Sequence, residues 1–336
     1  MHKALFRLGT ALWVMMFFFA AEAQDSLAHL FSRTSLYSTV SQSLAGAGTA
    51  LPAGGMQGLL NPALPFSYKY EVKGNRGSLV LGYGRDPVFE KIGLPMGLAF
   101  ADEEGAMAFY YRYLNGKPGS VHASTFNMSG RLFEQVDKQG PVDFGMNIRY
   151  EGSRWNGLSN DTAADVRSGS EQCRSVVIDL GFYQPYVMPN FDFSLVVRNV
   201  TGYLWEEEKV QGEEDRKSDG WVGGRHRTVI LGGLYTMSFA RDNVRVLIPL
   251  DLEMTNLLDK KTGTKYIFRT GMEARITPLY SLRLGYARAP ENPLDLVKDF
   301  DYRNLFFGGG GVYVKPLQID FFIGEDEWGI TTTYDY

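Results

Sequence analysis

The sequence predicts an all-β fold, a transmembrane antiparallel up-and-down β-barrel of about 14 strands with an N-terminal plug segment in its lumen. Three observations predict it. The chain begins with an export signal, and no later stretch is long and apolar enough for a spanning helix. Apolar and polar residues alternate with a period of two almost to the last residue. The connections between these segments fall into long and short sets that alternate along the chain.

Lys3 and Arg7 precede a short apolar core, residues 11–20, and Ala21-Glu22-Ala23 forms an A-x-A cleavage site. This order predicts a signal peptide over residues 1–23, cleaved before Gln24. A membrane anchor needs roughly 20 apolar residues, about twice this core. Lipidation needs a cysteine after the cleavage point, and Gln24 stands there. The single Cys173 allows no internal disulfide. A net charge of −4 gives no nucleic-acid footprint. An exported chain with neither helix, lipid nor staple fits the bacterial outer membrane, where the partners are the membrane lipid and the barrel-assembly machinery. The 38 Gly, 22 Phe and 19 Tyr suit a wall with aromatic girdles.

Residues 24–65 show no alternation and are rich in Ser, Ala and Gly; they are read as the plug, and residues 66–336 as the barrel. Strands are expected near 78–85, 92–101, 105–113, 120–133, 141–153, 174–187, 190–200, 225–239, 243–255, 265–276, 281–289, 303–314, 317–324 and 327–336, with 66–73 left as a lead-in. Several have an oily and a charged face. Phe191, Phe193, Leu195 and Val197 oppose Asp192, Ser194 and Arg198. Val244, Val246, Ile248, Leu250 and Leu252 oppose Arg245, Asp251 and Glu253. Tyr266, Phe268, Met272 and Ile276 oppose Arg269, Gly271, Glu273 and Arg275. A soluble β-sandwich alternates in the same way, but strands of about ten residues match a tilted bilayer crossing. The final strand carries Trp328, Ile330, Thr332, Tyr334 and Tyr336 on one face and ends on an aromatic, like the signal read by the barrel-assembly machinery.

Loop lengths agree with the count. The polar stretches 154–173, 201–224, 256–264 and 290–302 fall on one side of the wall, and short turns near 187–190, 241–242, 277–280 and 315–316 fall on the other. Long loops outside and short turns in the periplasm are usual for such barrels.

No catalytic constellation emerges. His122 lies among Ser120 and Ser124, but neighbours two apart on a strand face the same way without forming a relay. Gly308 to Gly311 lacks the Lys-Ser/Thr of a phosphate loop and reads as a kink in the wall or a place where the plug touches it. Glu206, Glu207, Glu208, Glu213, Glu214 and Asp215 read as a solvated loop, without the spacing of a calcium loop. The expected lumen-facing charges are Asp179, Asp192, Arg198, Arg245, Asp251, Glu253, Arg269, Glu273, Arg275, Arg283 and Asp320. They are read either as a salt-bridged filling or as a polar path. No metal, cofactor or enzymatic activity is expected.

SLAGAGTA (43–50) followed by NPAL (61–64), then IDLGFYQP (178–185), LVVRNV (195–200), GMEARITPLYSLRLGY (271–286) and FGGGGVYVKPLQIDFF (307–322) resemble, in order, the FadL-like and PorV/PorQ-like outer-membrane barrels. Ala53-Gly54-Gly55 stands where that family carries an acidic pair. The resemblance implies a 14-stranded barrel with a lumenal hatch, in which Gly46, Gly48, Asn61 and Pro62 would matter. FadL-like members pass hydrophobic molecules, and PorV-like members serve protein secretion and surface attachment. A passive transporter for hydrophobic or small solutes, gated by residues 24–64, is therefore the first expectation. A component of a type IX-like secretion system, partnered by a secreted protein, is the alternative. An outer-membrane enzyme is a distant third.

Overall fold

The computed structural model describes residues 40–336 except 41, 43, 53–54, 72–75, 86–91, 116–118, 135–139, 160–165, 211–215, 222–226, 240–242, 256–263, 277–278, 291–301 and 326. The expected signal peptide and the first part of the plug, residues 24–39, lie outside the described residues. Fourteen strands close into one antiparallel barrel, and one further strand joins its rim. In chain order these are β1 (Arg76–Arg85), β2 (Ile92–Ala101), β3 (Gly105–Asn115), β4 (Gly119–Phe133), β5 (Val142–Ser159), β6 (Val166–Met188), β7 (Phe191–Val210), β8 (Arg216–Trp221), β9 (Thr228–Phe239), β10 (Val244–Thr255), β11 (Lys265–Ile276), β12 (Tyr280–Pro290), β13 (Tyr302–Val314), β14 (Leu317–Ile323) and β15 (Trp328–Asp335). Each strand pairs with its chain neighbour, except that β8 folds back on the far end of β7 while β9 pairs with the near end. The extra strand is β8.

Closure comes from β1 and β15, in register from Ser78 opposite Asp335 to Arg85 opposite Trp328. Gly77 and Tyr336 extend the seam by exchanging backbone bonds of 2.9 Å in both directions. A closed wall leaves no open edge, which is the condition for strands to sit in lipid.

The faces sort as the alternation predicts. On β1, Leu79 and Leu81 are 41% and 51% exposed, while Val80 between them is buried at 2%. On β10 and β11, Leu250, Leu252, Phe268 and Met272 point out, whereas Asp251, Glu253, Arg269 and Glu273 are buried. Apolar side chains outside and charges inside invert the pattern of a soluble protein, and suit a wall in a bilayer. Trp328, Ile330, Tyr334 and Tyr336 all face outward, with Trp328 beside Tyr83 and Tyr336 beside Phe100, ring centroids 5.8 and 6.2 Å apart.

Three expectations need correction. The stretches 154–173 and 201–224 are not loops throughout. β5, β6 and β7 run on to 18, 23 and 20 residues, and β8 continues their sheet. The polarity that suggested loops marks strands rising beyond the apolar band. For the same reason Glu206, Glu207 and Glu208 belong to β7, opposite β8. The lead-in 66–73, kept out of the strand count, does precede β1 and contributes to a helix, α1 (Leu64–Glu71). The Gly308 to Gly311 run is no kink, since β13 stays in unbroken register with β12 and β14. Its bare inner face lets Arg283 on β12 reach across β13 to Asp320 on β14, Nη1 to Oδ1 2.7 Å. A Cβ on Gly311 would strike Asp320 and Ser281.

If the outer face meets hydrocarbon, Met272→Arg at mid-wall should cost about 2–4 kcal/mol, and Ile276→Arg at the end of the same strand about 1 or less. Denaturant unfolding of each variant from lipid vesicles measures this. Equal costs at the two depths would count against a bilayer on that face.

Candidate functional site

Among the described residues the buried polar chemistry gathers in the lumen, and it comes from two sources. The first is the wall. Arg149 hydrogen-bonds Asp179 through Nη1 at 2.9 Å and Asn199 through Nη2 at 2.7 Å, and forms an ion pair with Glu151, Nε to Oε1 2.7 Å. A bulge supplies Asn199: Ile178 pairs with Thr201 but Leu180 pairs with Val197, so Asp179 faces the extra residues of β7. Asn199, at φ +53°, donates its N–H to Asp179 at 2.9 Å. Further round, Arg269 meets Glu253 at 2.6 Å. Glu273 is bonded by Arg283 at 3.0 Å and Arg275 at 3.2 Å, and Gln318 adds a 2.7 Å bond to Asp320. Each of these charges has an opposite partner within the wall, as buried ions need.

The second source is the inner segment, residues 44–67, which crosses the lumen and touches opposite sides. Ala45, Gly46 and Gly48 have φ of +57°, +80° and +130°. That left-handed run aims two successive amides at one carboxylate. Gly48 and Thr49 donate their N–H groups to Asp251 Oδ2 at 2.9 and 3.1 Å, and the Thr49 hydroxyl donates to Oδ1 at 2.7 Å. Consecutive amides around an anion form a small nest.

Asn61 is used completely. Its Nδ2 donates to the carbonyls of Thr49 and Phe182 at 2.9 and 3.0 Å, and its Oδ1 accepts from Ala63 N at 3.0 Å. The Pro62 carbonyl accepts from Asn127 at 2.9 Å, and the Gly58 carbonyl accepts from Asn147 at 2.8 Å. Below them Ser67 donates to Asp143 at 2.8 Å, while Arg131 bonds the other oxygen of Asp143 at 3.2 Å.

The wall is shaped for this contact. Gly145 and Gly181 lie against Asn61 and Pro62, Gly232 against Thr49, and Gly285 against Leu44 and Ala45; a Cβ at any of them would collide with the segment. Here glycine serves close approach rather than a turn. Leu44, Leu51, Leu60 and Leu64 are fully buried. Leu44, Leu51 and Leu64 pack with Tyr183, Leu234 and Leu247 of the wall, and Met56 and Leu59 pack with Val80, Ala99, Ala108 and Tyr110.

Of the charges named from sequence, Asp179, Arg198, Asp251, Glu253, Arg269, Glu273, Arg283 and Asp320 are buried inside. Arg275 is partly buried. Asp192 sits near the short-turn rim, holding Tyr183 Oη and Tyr186 N at 2.8 Å each. Arg245 shares the face of Asp251 and Glu253 but is exposed, at the short-turn end of β10. Asp143, Asn147, Arg149 and Glu151 of β5 and Asn127 of β4 were missed, although Phe144, Met146, Ile148 and Tyr150 alternate with the first four as clearly as on any strand. His122 faces outward, with its ring 5.7 Å from that of Tyr150.

No family model and no curated protein matches the chain. Solved structures match its fold. The P. putida toluene transporter TodX gives a TM-score of 0.55 at 11% identity, over 89% of this chain and 98% of that one. A Pseudomonas aeruginosa FadL homologue gives 0.54 at 9%, over 88% and 97%. The CymD monoaromatic hydrocarbon channel gives 0.52 at 14%, over 88% and 96%. The chain therefore has the fold of the FadL-type outer-membrane channels across most of its length.

Replacing Asp251 by Asn removes the charge and sets an NH₂ group among donors. One charge-assisted bond is worth about 1.5–3 kcal/mol, so hydrogen exchange at the Gly48 and Thr49 amides should accelerate about 10- to 100-fold, with the strand amides unchanged. Unaltered protection would mean that packing alone seats the segment.

Proposed function

We propose that this protein is a passive outer-membrane channel for small hydrophobic solutes, held closed at rest by its inner segment. The observation that carries the reading is the seating of residues 44–67 across the lumen, tied to β10 through Asp251 and to β4 through Asn127. A filled barrel with no further role would be expected to fill itself with wall side chains. This one closes around a separate chain segment, against glycines that keep a bed for it. Gly46, Gly48, Asn61 and Pro62 are then the hatch residues. The neighbours support the reading: TodX is described as a toluene transporter and CymD as a monoaromatic hydrocarbon channel. They are transport proteins, which also favours a non-enzymatic role. The outward band of Leu, Phe and Met supports the membrane setting, the N-terminal sequence supports export, and the aromatic face of β15 suits recognition by the barrel-assembly machinery.

A second reading is a PorV/PorQ-like component of a secretion or surface-attachment system. One observation favours it: β5, β6, β7 and β8 rise as a continuous sheet well beyond the level reached by β14 and β15, which have only 7 and 8 residues. A projecting sheet offers a protein-binding face that transport does not need.

Single-channel conductance in planar bilayers separates the two. The chain from Gln24 onward should be closed, and the same chain lacking residues 24–64 should conduct. If neither conducts while heat-modifiable gel mobility reports a folded barrel, the transport reading fails and a co-purifying secreted protein becomes the expectation.

A further inference from the structure

The outer surface of β4 to β7 carries a cationic site that the channel reading does not use. Strand register stacks its outward side chains in level rows. Phe126, Ile148 and Ile178 lie side by side on β4, β5 and β6. One step nearer the long-loop rim come Tyr150, Val176 and Tyr203. The next row is His122, Gly152, Arg174 and Trp205, and Arg154 on β5 stands one step above it. Apolar side chains thus give way to aromatic ones and then to cations within three rows.

That sequence fixes the depth. Aromatic girdles mark the water interfaces of membrane barrels, and an outward arginine that costs about 2–4 kcal/mol at mid-bilayer costs about 0–1 at the interface. The cation row therefore sits at headgroup level. Arg154 and Arg174 are both exposed, and among the described residues neither makes an ion pair or side-chain hydrogen bond. The neighbouring carboxylates are engaged elsewhere, Glu207 with Lys217 at 3.5 Å and Asp219 with the Tyr203 hydroxyl. Gly152 brings a third group in, because the His122 ring lies over its bare Cα and a Cβ there would strike the imidazole. His122 thereby leans across β5 toward the strand that carries Arg174.

We infer that Arg154, Arg174 and His122 bind a phosphate-bearing lipid headgroup of the leaflet at the long-loop rim. The lipid's acyl chains lie down the wall over Phe126 and Ile148. Guanidinium groups grip phosphate with paired hydrogen bonds, Trp205 and Tyr150 flank the headgroup, and the apolar row accepts the chains. The inference rests on the membrane placement of the wall and is independent of transport.

The test is titration of the folded barrel with lipid A, and with the same lipid after removal of its phosphates, followed by native mass spectrometry. The double variant Arg154→Gln/Arg174→Gln should hold lipid A roughly thirtyfold more weakly than the parent chain. Arg245→Gln, which removes the same charge at the opposite rim, should bind as the parent does. Dephosphorylated lipid should bind weakly to all three. Equal lipid A affinity of parent and double variant, or equal affinity of the parent for the two lipids, overturns the site. Heat-modifiable mobility confirms folding in each case, and the conductance result bears on none of these outcomes.

Discussion

A carboxylate shut away from bulk water must find donors, and Asp251 finds them in Gly48 and Thr49 of the inner segment. Most of the other buried wall carboxylates form ion pairs with wall arginines: Glu151 and Asp179 with Arg149, Glu253 with Arg269, Glu273 and Asp320 with Arg283. Asp143 divides its oxygens between Arg131 and Ser67. This division explains the interior. Where the wall balances itself, it needs nothing from the rest of the chain. Where it does not, the inner segment completes it. The segment is thus part of the electrostatics of the barrel rather than a loose filling, and losing a partner from such a site leaves an uncompensated buried group.

The glycines of the wall complement that carboxylate. Hydrogen bonds near 2.9 Å from backbone amides demand that backbone approach backbone, and a side chain at Gly145, Gly181, Gly232 or Gly285 would hold the two apart. Part of the glycine content that looked merely compositional in the sequence is placed by this need. Other glycines clear room within the wall, Gly152 for the His122 ring and the Gly308 to Gly311 run for Arg283 to reach Asp320. The same residue type serves segment-to-wall contact in one place and wall-to-wall contact in another.

Much of this architecture is legible in the sequence, for a physical reason. In lipid the backbone can satisfy itself only in a closed sheet, so every strand must display the same two-faced alternation, and fourteen of them can be counted. Eight of the eleven charges named from that alternation are buried inside. What the pattern hides is height. Arg245 has the right parity but lies at the rim, because alternation reports which face a residue takes and not how far along the barrel it sits. The extended β5, β6 and β7 are hidden for the converse reason: beyond the bilayer both faces are wet, the contrast fades, and a strand reads as a loop. The helix Leu64–Glu71 escapes because eight residues with Pro65 in the first turn show no helical period in the sequence. Pairings such as Arg149 with Asn199 depend on a bulge in β7, and no period in the sequence announces it.

The burial of the segment also limits how a path for solute can open. Leu44, Leu51, Leu60 and Leu64 are fully enclosed, and burying a leucine is worth about 1.5–3 kcal/mol. Expelling the whole segment into water would thus cost on the order of 10 kcal/mol before the bonds to Asp251 and Asn127 are counted. A solute shifts such an equilibrium only by its differential affinity for the open state. A small hydrocarbon of about seven heavy atoms reaches that only at the ceiling of about 1.5 kcal/mol per heavy atom, and only with no affinity at all for the closed state. For the proposed channel, opening is therefore local, keeping the four leucines in place and releasing one stretch of backbone. The natural stretch lies between Leu51 and Leu60, where among the described residues the chain is held mainly by the Gly58 carbonyl on Asn147 and by Met56 and Leu59 against Val80, Ala99, Ala108 and Tyr110 of β1, β2 and β3.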